Sequence, residues 1–73
     1  MIEPVMWRLA AESGRTIYHI AKAGPSYLTV QRRADGTWTW DTRRGAFHAG
    51  GTAVSWRKAR YWAEWTHAAF ADA

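Results

Sequence analysis

Three histidines, His19, His48 and His67, and six carboxylates, Glu3, Glu12, Asp35, Asp41, Glu64 and Asp72, are the side chains best suited to move a proton or hold a metal ion. Neither task has the spacing it needs. A zinc site calls for two histidines about a turn apart on a helix, or for paired cysteines, and these histidines stand alone in a chain with no cysteine. General acid–base chemistry needs two carboxylates converging on one bond, and the strand alternation developed below brings no two of the six to one place. Gly50-Gly51-Thr52 precedes a helical segment but lacks the Lys or Ser in register that a phosphate-cradling loop uses. The expectation is therefore a protein that is not an enzyme, with no catalytic residue, no metal and no cofactor.

Binding is what the composition leaves. The formal charge of +4 and isoelectric point near 10.1 favour acidic partners, nucleic acid first, through non-specific electrostatics. Seventy-three residues fit one domain, here 1–73, and a chain this short needs bulky side chains to bury enough surface. Six Trp, three Tyr and two Phe supply them. Without cysteine there is no disulfide framework. The first ten residues carry no basic flank followed by an apolar run, and no apolar stretch is long enough to span a bilayer. A cytoplasmic protein that does not enter a membrane is expected.

Turn residues divide the chain at Ser13-Gly14, Gly24-Pro25-Ser26, Ala34-Asp35-Gly36, Gly45 and Gly50-Gly51. Between them, residues 5–10, 16–22, 27–33 and 37–42 have strand chemistry, and the Ala-rich segment 55–71 reads as a helix capped by Ser55. The fold class expected is α+β: a three- to four-stranded antiparallel meander with one C-terminal helix packed on one face.

The hairpin at 34–36 decides the faces. A two-residue loop would place Leu28 and Val30 among Thr39, Asp41 and Arg43, charge among core aliphatics. A three-residue loop ending in a left-handed Gly36 instead pairs Arg32 with Trp38, Val30 with Trp40 and Leu28 with Thr42. The other face then carries Tyr27, Thr29, Gln31, Arg33, Thr37, Thr39, Asp41 and Arg43, the polar side of a one-sided sheet. Val5, Trp7 and Leu9 alternate as a buried face, and residues 17–20 are apolar on both faces, as in a strand covered on both sides. At ~100° per residue, Trp56, Ala59, Trp62, Ala63, Thr66, Ala69, Phe70 and Ala73 form the helix arc expected to dock, with Arg57, Arg60, Glu64 and His67 outside it.

Two candidate surfaces follow. Gln31, Arg33, Thr39 and Arg43, with Arg44 at the margin, offer donors for phosphates and base edges of DNA or RNA. Tyr61 and Trp65, four apart on the outer helix face beside Arg57, have the composition of a protein-interface hot spot and suit another protein or a second copy of the chain.

The segment YLTVQRRADGTWTWDTR, residues 27–43, is similar to the plant ethylene-response-factor DNA-binding domain, with Tyr27, Val30, Arg33, Gly36 and Trp38 at matching offsets and Gly51, Thr52, Ser55 and Ala59 resembling its turn, helix cap and first helical Ala. The resemblance covers about forty residues. It implies a sheet lying in the DNA major groove, with contact roles for Arg33, Arg43 and Asp41. Two positions depart from that pattern, Gln31 where the family has Arg and Asp35 where it has Trp. The W-x-W pair and the segment GTAVSWRKARYWAE also resemble short bacteriophage and prophage proteins, which implies a fold and a mobile-element setting but no activity.

Overall fold

Alternating side chains between short turns produce five strands and one helix: β1 (Trp7–Ser13), β2 (Thr16–Ala23), β3 (Ser26–Arg32), β4 (Trp38–Arg44), β5 (Phe47–Ala53) and α1 (Trp56–Ala71). This is a computed structural model that describes residues 5–13 and 16–72; Glu3, Gly14 and Ala73, which the sequence expectations used, lie outside the described residues. The strands form one sheet in the order β1-β2-β3-β4-β5, every neighbouring pair antiparallel. The protein is thus an α+β domain, an open antiparallel meander with one C-terminal helix packed on it, and it has five strands where three to four were expected.

The fifth strand runs through Gly50-Gly51, expected as loop. A Cβ on Gly51 would stand 3.1 Å from Trp40 Nε1, and one on Gly50 would stand 2.8 Å from the Trp40 carbonyl oxygen. These glycines are where a strand lies close against a large neighbour rather than where the chain turns.

At the central hairpin the expected register is found: Arg32 opposite Trp38, Val30 opposite Trp40, Leu28 opposite Thr42. Arg33 N–H donates to the Thr37 carbonyl at 2.8 Å and Gly36 N–H to the Arg33 carbonyl at 3.0 Å, with Gly36 at φ +91°, open only to glycine without strain. Asp35 Oδ1 accepts from the Thr37 hydroxyl at 2.7 Å and its N–H at 3.0 Å, which holds the Asp35 carboxyl below its usual range.

Helix α1 starts where Ser55 Oγ accepts the Lys58 N–H at 3.2 Å. It packs over β3, β4 and β5, burying Ala59 and Ala63 with Ala21, Ala23, Leu28 and Val30. Small residues let its backbone come close enough for Thr42 Oγ1 to donate to the Ala63 carbonyl at 2.9 Å.

The docking face is rotated from the expected arc. His67, placed outside it, is 1% exposed, and Trp62, placed inside, is 43% exposed. Ala59 and Ala63 are the helix residues in the core, and the rings packed against it are those of Trp7, Trp38, Trp40 and Trp56. Trp56 meets Trp7, His19 and Trp38 at centroid distances of 5.4, 4.4 and 6.1 Å. Trp7 Nε1 donates to Glu64 Oε2 at 2.6 Å, drawing that carboxylate inward too. Leu9, expected in the buried face with Val5 and Trp7, is half exposed, next to a register shift between Leu9 and Ala11. The helix covers one face only, so β2, expected to be sandwiched, has Tyr18 and Ile20 on the uncovered side.

Candidate binding surfaces

The uncovered face is organised by cross-strand pairing. Lys22 stands opposite Tyr27, Tyr27 opposite Arg43, and Arg43 opposite His48, a row across four strands. The next row runs Arg8, Ile20, Thr29, Asp41, Gly50, and the one beyond it Ala11, Tyr18, Gln31, Thr39, Thr52. Tyr27 is 48% exposed, with Lys22 Nζ 5.4 Å from its ring centre, a cation–π contact that leaves much of the ring in solvent. Arg33 closes one end of the face, above an open depression lined by Thr16, Gln31, Arg33, Ala34 and Asp35.

Four of the five residues expected to meet nucleic acid, Gln31, Arg33, Thr39 and Arg43, therefore share this face. Arg44 does not. Alternation turns it to the helix side, where its Nη1 donates to Ser26 Oγ at 3.1 Å. Asp41 sits in the middle of the polar face, engaged by Arg43 Nε at 3.3 Å and by His48 Nε2 in a shorter contact. Arg43 offsets its charge and His48 ties up one of its oxygens, which reduces the repulsion it would exert on a phosphate.

Lys22 and His48 were missed by sequence reasoning. The signal for Lys22 was present: a two-residue loop, Gly24-Pro25, pairs Ala23 with Ser26 and hence Lys22 with Tyr27. Likewise Gly45-Ala46 pairs Arg44 with Phe47 and hence Arg43 with His48.

Two other histidines are structural. His67 Nδ1 lies 2.9 Å from Ser26 Oγ, both residues being buried beneath the helix. An arginine can only donate, so Ser26 Oγ accepts from Arg44, and its bond to His67 Nδ1 runs in the direction that the imidazole tautomer sets. A Ser–His pair can generate a nucleophile, but a serine with 0% exposure is closed to any substrate. His19 stacks on Trp56, and its buried Nδ1 has no hydrogen-bond partner among the described residues.

The second surface is the outer side of α1. Tyr61 and Trp65 are 56% and 55% exposed, as expected, and Trp62 joins them: Tyr61 meets Trp62 edge-on at 5.3 Å and Trp62 meets Trp65 at 6.0 Å. Arg57 and Lys58 flank a groove whose other walls are Tyr61 and Trp62.

The class these features define is a small α+β domain that keeps its hydrophobic layer under one helix and presents a bare polar sheet on the other side. Compared with known proteins, the chain matches no family model, no curated protein and no solved structure. Among the described residues no helix is long and apolar enough to cross a membrane.

Proposed function

We propose that the uncovered sheet face binds a nucleic acid strand, DNA or RNA, in the cytoplasm, and that the protein is a binding module rather than an enzyme. The observation that carries this reading is the row Lys22, Tyr27, Arg43, His48, which sets an exposed ring between two cations on a face that no second layer covers. Lys22, Arg33 and Arg43 supply charge for phosphates, Tyr27 a platform for a base, and Gln31 and Thr39 hydrogen-bonding groups for base edges. A single strand fits better than a duplex. Five strands at ~4.8 Å spacing make a surface ~19 Å across, broader than the ~12 Å major groove that a narrower β-ribbon enters.

Fluorescence anisotropy with a labelled single strand of about a dozen nucleotides tests the reading, since a strand of that length covers one such platform. Tyr27→Ala is expected to lower affinity ~5–100-fold through the lost stack, and Arg33→Ala with Arg43→Ala to flatten the dependence on salt by ~1.4 in log–log slope. No binding at ~50 mM salt would overturn the proposal, and tighter binding of a duplex than of a single strand would overturn the choice of ligand.

A further inference from the structure

Lys58, Trp62, Trp65, Ala69 and Asp72 recur along α1 and its C-cap at intervals of four, three, four and three residues. That is the spacing of a coiled-coil seam. All five are exposed, on the side of the helix turned away from the sheet. The seam begins with a cation and ends with a carboxylate, and neither Lys58 nor Asp72 has an ion-pair partner among the described residues. We infer that this stripe is the contact between two copies of the chain, paired through antiparallel α1 helices.

The charge order selects both the partner and its direction. In a parallel pair Lys58 would meet Lys58 and Asp72 would meet Asp72, which is repulsive at both ends. Reversing one copy brings the basic end of each seam to the acidic end of the other and sets the helix dipoles head to tail. Trp65 then meets its counterpart at the centre, and Ala69 leaves room for the opposing Trp62. Tyr61 and Arg57 line the margin, in the manner of rings and guanidinium groups at the centre and rim of interfaces.

The area sets the strength. Three rings about half exposed, each able to bury roughly 150–250 Å², contribute some 450–750 Å² over two copies. Even with polar margins added this stays below the ~1,200 Å² lower edge of standard interfaces, so a weak dimer, of roughly 100 μM affinity, is expected. The layers would stack as sheet, helix, helix, sheet, leaving both uncovered sheet faces free and pointing apart. The inference does not depend on what those faces bind.

Sedimentation equilibrium from ~10 to ~500 μM, a range bracketing the affinity expected from such an area, should show a monomer–dimer equilibrium that Trp65→Arg abolishes. Lys58→Glu and Asp72→Lys should each weaken dimerisation ~10-fold, since each places like charges at both ends of the pair, and the double exchange should restore it to within ~3-fold. All these positions are exposed, so the variants keep the fold, checked by circular dichroism. A monomer at ~500 μM would overturn the proposal, as would a dimer indifferent to Trp65→Arg or a double exchange no better than the single ones. A monomer whose Trp65→Arg variant loses affinity for nucleic acid would reassign the patch to that ligand.

Discussion

Removing one hydroxyl beneath the helix should weaken this domain more than removing a large ring from its surface. Ser26 is fully buried where β3 begins; its Oγ lies 2.9 Å from His67 Nδ1 on α1 and 3.1 Å from Arg44 Nη1 on β4. Ser26→Ala takes a hydrogen bond from a buried ring nitrogen, ~1–3 kcal/mol, and an acceptor from a half-buried guanidinium that water can partly resolvate, ~1 kcal/mol. The loss of ~2–4 kcal/mol is large against the ~4–11 kcal/mol total stability of a 73-residue domain. At ~4–8 °C per kcal/mol it corresponds to a fall in Tm of about 8–30 °C. Urea titration followed by tryptophan fluorescence measures it, with His67→Leu and the double variant completing a cycle. Because replacing both partners by apolar groups is nearly neutral, the double variant should be ~1 kcal/mol or more stable than the two single losses together imply. A Ser26→Ala variant within ~0.5 kcal/mol of the parent, or strict additivity in the cycle, would refute the claim that these three side chains fasten helix to sheet.

Trp62→Ala should cost about 2 kcal/mol rather than the ~3–5 kcal/mol of a buried indole, because 43% of the residue is already in solvent; a variant that unfolds at dilutions where the chain is monomeric would show that the ring belongs to the core. Gly50→Ala should destabilise by ~1–3 kcal/mol, since the new Cβ would stand 2.8 Å from a backbone oxygen that can move only with β4, and melting unchanged from the parent would mean that β5 is not paired there. Loss of strand affinity in Tyr27→Ala, and loss of the dimer in Trp65→Arg, are read by anisotropy and sedimentation respectively, so either surface can fail while the other stands.

Local chemistry carried much of the architecture. The three-residue hairpin at 34–36 was legible because only one register keeps charge away from Leu28 and Val30, and Gly36 supplies the left-handed residue that this register requires. From it follow the shared face of Gln31, Arg33, Thr39 and Arg43 and the inward Trp40. The helix, its Ser55 cap and the outward Tyr61 and Trp65 were equally readable, since cap chemistry and a ~100° period are properties of one segment. Arg44 was assigned to the wrong surface although strict alternation from Arg43 already placed it on the helix side.

Two features were decided only by tertiary contact. Gly50 and Gly51 belong to a strand because Trp40 lies against them, and isolated glycines carry no mark that separates a close approach from a turn. The rotation of α1 that buries His67 and releases Trp62 goes with Ser26 and Arg44, residues from two different strands that hydrogen-bond the imidazole Nδ1 and its hydroxyl partner; hydropathy alone ranks the indole as the better core residue. The row from Lys22 to His48, by contrast, was implicit in the two-residue turns Gly24-Pro25 and Gly45-Ala46 that set the strand registers. Segment chemistry determines which way a side chain can point relative to its neighbours, while its companions across the sheet and under the helix are set by where small residues let backbones come together.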